Sequence, residues 1–155
     1  GLPSKGHRAV GRSSRPELHT LGGDQFAGNT LTGPWYWNFD AQNKAWADQF
    51  LAKTGTRPTF AHAGNYSAAM NYLEAVQAAG TDGADAVIKA LDGKKINDVF
   101  LRNGQVRPDH RVIHDVYLAK VKSKDQVKEA WDYEQILQTI PAADAFEPVA
   151  SDCKM

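Results

Sequence analysis

The sequence predicts a mixed α/β fold, and three observations carry that expectation. Three segments between Asp40 and Gly93 repeat apolar residues at helical spacing between capping and stop signals. From Asn97 to Val121 the pattern changes to β-branched and apolar runs interrupted by the turn residues Asn103-Gly104 and Pro108-Asp109-His110. The 155 residues are 42% hydrophobic and 23% charged, an ordinary globular composition that is long enough to bury a sizeable core.

The elements follow in order. "AGNTLTGPWYWNF", Ala27 to Phe39, has β-branched and aromatic residues around Gly33-Pro34, which predicts two extended pieces joined by a bend. In the second piece, alternation would put Trp35 and Trp37 on one side and Tyr36 on the other. "DAQNKAWADQFLAKTG" predicts a helix capped by Asn38 or Asp40, with Ala45, Trp46 and Phe50 at helical spacing, Ala47 and Leu51 beside them, and Thr54-Gly55 as its stop. The next helix is expected from about His62 or Asn65 to Ala79, with Ala69, Leu73 and Val76 as its apolar stripe, Tyr66 and Met70 beside it, and Gly80 at its end. "GADAVIKALDG" predicts a third, short helix between Asp82 or Gly83 and Gly93. Strands then surround Asn103-Gly104 and fill Val112 to Val121, and a last apolar run spans Tyr133 to Ile140 before a tail flanked by prolines.

Charge and cysteine usage exclude several functions. Eighteen basic and eighteen acidic side chains give a net charge of zero, so no overall field holds the chain to nucleic acid or an anionic membrane, and neutral or zwitterionic small molecules fit better. Lys5, Arg8, Arg12 and Arg15 are spread among Gly, Ser and Pro; they read as a solvated segment, the alternative being a basic arm. The single cysteine, Cys153, leaves no internal disulfide and no cysteine zinc cluster. No apolar run approaches the roughly 20 residues of a spanning helix, and "GLPSKGHRAVGRSSRPELHT" lacks the apolar centre of a signal peptide. Ser67, His114 and Asp115 supply the residue types of a hydrolytic triad without a G-x-S-x-G elbow, and His110 and His114 form an H-x-x-x-H pair outside any expected helix with no third ligand nearby. Neither pattern supports catalysis, and no cofactor or metal is expected.

The succession "PWYW" (Pro34 to Trp37), "FLAKTGTRPT" (Phe50 to Thr59), "FAHAGNYSAAMNYLEAVQAAGT" (Phe60 to Thr81), "FLRNGQVRPDHRVIHDVYLAKVKS" (Phe100 to Ser123) and "WDYEQILQTIP" (Trp131 to Pro141) resembles the C-terminal part of substrate-binding proteins of bacterial ABC importers, in the branched-chain amino acid and amide subgroup. The likeness runs from about Leu18 onward and rests on the order of the pieces. It implies a partial type I periplasmic-binding-protein fold, a fragment of a two-lobe α/β protein in which the lobes close over a ligand and the chain crosses between them three times. Two crossings are expected, near Thr32 to Trp37 and near Tyr117 to Ser123. Residues 1–37 would end the second lobe and make the first crossing, 38–118 would form the C-terminal part of the first lobe, and 119–155 would return to the second lobe. The family's first part has no counterpart here, and His110 stands where a glycine is usual.

The same resemblance implies a non-catalytic receptor, periplasmic, that binds a small amino acid, amide or aromatic acid in an interlobe cleft and presents it to membrane permease subunits. Ligands of α/β folds sit where loops lead into helix N-termini, and "AHAGNYS" would be such a place. His62 could meet a carboxylate, Ala63 and Gly64 allow close backbone approach, Asn65 can exchange hydrogen bonds, and Tyr66 offers a flat apolar face with a polar tip. Tyr36 and Trp37, at the first crossing, are the aromatic candidates. The plainer alternative makes Asn65 or Ser67 a helix cap, and Tyr66, Tyr36 and Trp37 core residues.

A second class of function stays open: a structural or protein-interaction fragment that folds by oligomerising. Three amphipathic helices each need an apolar partner surface, while the strands between Asn97 and Val121 offer few buried faces. An exposed apolar patch is therefore expected along Ala69, Leu73 and Val76, or beside Trp46 and Phe50, covered by an absent segment or by a homo-oligomeric contact.

Overall fold

The computed structural model describes residues 6, 10–11, 18–20 and 23–149. Lys5, Arg8, Arg12, Arg15 and Cys153 lie outside them, as do the readings that rest on them. The described chain forms two units, the first comprising the residues up to Phe60 with Val116–Thr139, the second Ala61–Asp115 with the residues from Ile140 on. Residues 38–60 thus fall in unit 1. Among the described residues, no helix is long and apolar enough to cross a membrane.

Unit 1 is built on a four-stranded sheet of β1 (Val10–Gly11), β2 (Thr30–Gly33), β6 (Val116–Val121) and β7 (Glu134–Ile140), in that spatial order. β1 runs parallel to β2, and β2 pairs antiparallel with β6 in the register Thr30 to Lys120 through Gly33 to Tyr117. Leu31, Ala119 and Val121 project to one buried side with Leu18, and Phe26, Tyr133 and Ile136 pack against them. This is the period-two alternation that a half-buried sheet requires. Helix α1 (Ala41–Thr54) starts where Asp40, in extended backbone, accepts the Asn43 N–H at 2.8 Å, and it stops at left-handed Gly55, whose N–H donates to the Leu51 carbonyl. Asn43 and Ala47 are its buried residues; Trp46 and Phe50 are half-buried and Ala45 is exposed.

The aromatic segment corrects one expectation. β2 ends at Gly33, and the residues after Pro34 make a turn closed by Phe39 N–H to the Tyr36 carbonyl at 3.2 Å, so no second extended piece forms. Trp35, Tyr36 and Trp37 are all buried. The Tyr36 hydroxyl and the Trp37 indole N–H donate to neighbouring residues, Asp132 and Trp131.

Unit 2 contains α2 (Phe60–Ala79), α3 (Ala84–Leu91), the short α4 (Ala142–Ala145), and a three-stranded antiparallel sheet of β3 (Lys95–Ile96), β4 (Gly104–Val106) and β5 (Val112–Ile113). Ile96, Leu101 and Val106 form its small core with Phe100 against them. Helix α2 begins earlier than expected, so "AHAGNYS" lies within its first turns rather than in a loop. Its buried stripe is Ala63, Ser67, Asn71 and Ala75 at strict i, i+4 spacing. Ala69 and Leu73 lie instead on the exposed side, with Leu73 57% exposed, and Val76 is only half-buried. The stripe is polar because Asp98 faces it: Ser67 Oγ and Asn71 Nδ2 donate to one carboxylate oxygen at 2.6 and 3.1 Å, while the N–H groups of Phe100 and Leu101 donate to the other. A small hydroxyl and an amide thus satisfy a carboxylate that larger apolar residues would strand.

The Pro108-Asp109-His110 turn forms as expected, between β4 and β5, whereas the Asn103-Gly104 expectation is modified. Asn103 takes the left-handed conformation at φ 52, but Gly104 is the first residue of β4 and not the second residue of a two-residue hairpin. A Cβ on Gly104 would stand 2.9 Å from the Ile96 carbonyl oxygen and 3.1 Å from Leu101 Cβ, so close strand approach is what calls for glycine there. His110 adopts φ 55 itself, its N–H donating to the Arg107 carbonyl at 2.9 Å while Arg107 N–H donates to the Arg111 carbonyl at 2.9 Å. The run Val112 to Val121 breaks at His114-Asp115 and feeds two different sheets. Asp115 there accepts from Asn103 Nδ2 at 2.8 Å and from the Ala142 N–H at 3.2 Å.

Gly104→Ala should therefore destabilise the protein by about 1–3 kcal/mol, the usual cost of forcing atoms into a packed site. Gly33→Ala, with nothing within 4 Å of the added carbon, should change stability far less. Parallel urea denaturation of the two variants checks the contrast.

Candidate functional site

Tyr36 and Trp37 belong to unit 1, where each has a specific polar partner. The Tyr36 hydroxyl donates to Asp132 Oδ1 at 2.8 Å, and Lys122 Nζ donates to the same oxygen at 2.7 Å. Asp132 is 2% exposed. Burial alone would raise its pKa, but the hydrogen bonds from Lys122 and Tyr36 and the lysine charge outweigh it and hold the carboxyl below the ordinary aspartate value. Burial, followed by the hydrogen bond to Asp132 and the charges of Asp132 and Glu134, drives the Tyr36 hydroxyl far above the ordinary tyrosine range. Tyr36 is thus a neutral hydrogen-bond donor, tying the segment after β2 to the segment before β7.

Trp37 is fully buried, and its Nε1–H donates to the Trp131 carbonyl at 2.9 Å. The Arg57 guanidinium lies 4.0 Å over its ring and Lys44 Nζ 5.0 Å from its centroid, both within cation–π range. Arg57 is itself buried, ion-paired with Asp48 and 3.6 Å from Glu129. Trp131 holds φ 74, a left-handed conformation costly for a bulky residue, and its ring stacks on His19 at 3.8 Å. His19 Nδ1 is 2.7 Å from the Tyr133 hydroxyl. Sequence alone gave no sign of this cluster, because Arg57, Trp131 and Asp132 are far from Trp37 along the chain and share no motif with it.

The other five candidates lie in the first turns of α2. Ala63 is buried, Gly64 faces the Phe100 ring, with that ring 3.4 Å from where a Cβ would be, and His62, Asn65 and Tyr66 are exposed. Asn65 Nδ2 donates to the Ala61 carbonyl at 2.8 Å. Tyr66 is 44% exposed, so it is not a core tyrosine of this unit. Gly64 also lines a groove of about 550 Å³ in unit 2, walled by Asn71, Tyr72, Ile88, Ile96, Phe100 and His114 among others. Its wall is mostly apolar, and Ser67 and Asn71 among its polar side chains are bound to Asp98. His114 Nδ1 lies 2.7 Å from the Asp115 carbonyl oxygen, and its ring packs between Phe100 and Phe146. Ser67 is bound to Asp98 and is not joined to His114 or Asp115 in a triad. Among the described residues no three His, Cys, Asp or Glu side chains cluster to hold a metal.

The comparisons name the class. The sequence profile described as periplasmic binding protein matches residues 1–126, and the chain belongs to that family. A periplasmic binding protein from Burkholderia mallei is 38% identical over 89% of this chain and 36% of its own, with a TM-score of 0.85. A branched-chain amino acid ABC transporter periplasmic ligand-binding protein from Burkholderia xenovorans is 36% identical over 96% of this chain and 40% of its own, with a TM-score of 0.90. A solute-binding protein of an ABC transporter from Rhodopseudomonas palustris, solved in complex with 3,4-dihydroxybenzoic acid, shares the fold at 22% identity and a TM-score of 0.75, over 92% of this chain and 39% of its own. No curated protein matches the sequence. The chain thus has part of the type I periplasmic-binding-protein fold and spans about two fifths of the length of these structures.

The Asp132 node has a pH signature. Because the folded carboxyl titrates below its unfolded value of about 3.9, its stabilising contribution is complete above that value and disappears as pH falls through the lower folded one. Asp132→Asn should cost about 3–5 kcal/mol at pH 7 by stranding Lys122, and should flatten the fall in stability between pH 5 and 2. Urea midpoints across that range are the measurement; an unchanged acid profile would show that Asp132 is not the titrating group.

Proposed function

We propose that this chain is part of a non-catalytic, periplasmic solute-binding receptor of an ABC uptake system, and that its ligand is a small amino acid, amide or aromatic acid delivered to membrane permease subunits. The observation that carries this reading is family membership together with a TM-score of 0.90 over 96% of the chain to the Burkholderia xenovorans ligand-binding protein. That protein's description supports an amino acid, and the dihydroxybenzoate complex of the Rhodopseudomonas palustris protein supports an aromatic acid as the alternative within the class. The net charge of zero accords with a neutral or zwitterionic ligand.

The proposed contacts are His62, Ala63, Gly64, Asn65 and Tyr66 on α2, with Tyr36 and Trp37 on unit 1. Exposure favours His62, Asn65 and Tyr66 for direct contact. Tyr36 and Trp37, 3% and 0% exposed, act by fixing the backbone around them.

Titration calorimetry of the protein with branched-chain amino acids, their amides and hydroxybenzoates tests the reading. Saturable binding of one class without turnover is expected; product formation, or no binding across the panel, would count against it. Tyr66→Ala should weaken binding at least tenfold while lowering stability by much less than the roughly 3–5 kcal/mol of a buried aromatic truncation. A large loss of stability with unaltered affinity would remove Tyr66 from the site.

A further inference from the structure

Asn103-Gly104 is the only Asn-Gly pair in the chain, and such a pair can modify itself. With no side chain on the glycine, its backbone nitrogen can reach the asparagine Cγ. A five-membered succinimide then closes: the N–Cγ bond forms, the Cγ–Nδ2 bond breaks, and Nδ2 leaves as ammonia with the proton lost by the glycine nitrogen. Water opens the ring. Attack at Cγ leaves aspartate, and attack at the backbone carbonyl leaves isoaspartate, in which the main chain runs through the side chain. Either product carries a new carboxylate, and water is the only co-reactant.

In unit 2 this chemistry is held off from both sides. Asn103 is exposed, but its Nδ2 donates to Asp115 Oδ2 at 2.8 Å, which keeps the amide engaged with Asp115. Gly104 is buried and paired in register with Ile96, with the Ile96 carbonyl oxygen 2.9 Å and Leu101 Cβ 3.1 Å from where its own Cβ would be. Asp115 is itself fixed. It is 8% exposed, its other oxygen accepts the Ala142 N–H at 3.2 Å, and its own N–H donates to the Arg102 carbonyl at 3.2 Å. Ring closure therefore requires the Asn103 amide to leave Asp115 while Gly104 loosens from Ile96, a local opening of the β3–β4 pair.

We propose that Asn103-Gly104 is a latent deamidation site, held closed by Asp115 and by the β3–β4 pairing, and that its conversion is one-way because the product cannot rebuild the closed arrangement. The inference does not rest on the solute reading. In the product, the group at position 103 that faced Asp115 changes from a hydrogen-bond donor to an anionic acceptor. Two carboxylates within hydrogen-bond distance repel, and neither can donate to the other. Asp115 follows β5 and accepts the first N–H of α4, so the repulsion falls where β4, the chain after β5 and α4 meet.

Peptide mapping by mass spectrometry tests the closed state. The folded protein and the same chain unfolded in guanidinium chloride are incubated side by side, and Asn103 should convert at least tenfold more slowly in the folded protein. Equal rates overturn the proposal. The one-way step has its own test: Asn103→Asp should lower the folded-to-unfolded ratio at least tenfold in urea denaturation. Asp115→Asn in the same chain should recover most of that loss, because an amide at 115 can donate to a carboxylate at 103 while its oxygen still accepts from Ala142. An Asn103→Asp chain that does not fold, beside a double variant that does, gives the same answer. Asn103→Asp as stable as the parent, or a loss that Asp115→Asn does not recover, shows that the facing carboxylates are not the cause and overturns the proposal.

Discussion

The architecture of unit 1 depends on one buried carboxylate. Asp132 accepts from Tyr36 and Lys122 on the same oxygen, and so fastens the residues after β2, the end of β6 and the residues before β7 to a single point. Sheet pairing brings β2 and β6 together but leaves their continuations free to diverge. The node removes that freedom, at the cost of desolvating a charge, and the cost is met by a direct lysine partner and a phenol that stays neutral. Trp37 reinforces the same joint through its hydrogen bond to the Trp131 carbonyl and its two cations. A tryptophan in left-handed backbone persists only where its surroundings over-determine it, and here the indole bond and the His19 stack supply that constraint.

What was legible in the sequence is what local chemistry decides. Asp40 caps α1 and Gly55 ends it, Gly80 and Gly93 follow α2 and α3 in left-handed backbone, and the apolar run before Pro141 is β7. The order of segments made the family and the partial fold legible as well. The details of α2 were not, because periodicity points to the apolar side and gives no sign that a stripe with two polar residues faces the unit's own core. Ala69, Leu73 and Val76 are as periodic as Ala63, Ser67, Asn71 and Ala75. The choice between them was made by Asp98, 27 residues beyond Asn71, whose carboxylate needs the hydroxyl and amide of the polar stripe.

The Asn103-Gly104 turn differs from its sequence reading for a related reason, while the Pro108-Asp109-His110 turn stands where the sequence puts it. Asn103-Gly104 carries the strongest short hairpin signal in the chain, yet the glycine is needed for close approach to Ile96 and only the asparagine for left-handed backbone. At His110 the position usually held by glycine keeps its left-handed conformation with a side chain present, because the flanking hydrogen bonds and the Arg107–Asp109 ion pair already close the turn. A residue type thus reported a backbone need correctly while the position of that need in the ladder remained a tertiary matter.

Tyr36 and Trp37 stand out in the sequence by residue type, and their partners do not, because Asp132 and Trp131 lie more than 90 residues away. Tyr36 and Trp37 contribute a hydroxyl donor and an indole donor to buried acceptors, and the Trp37 ring already has the Arg57 guanidinium and Lys44 within cation–π range. Helix α2 is different. Its first turns expose His62, Asn65 and Tyr66, groups able to exchange hydrogen bonds, and further along it exposes apolar Met70 and Leu73 beside Tyr72, Glu74 and Gln77. Exposure along α2 therefore mixes hydrogen-bonding and apolar side chains over its whole length, and the polar pair Ser67 and Asn71 is the part that its own unit buries.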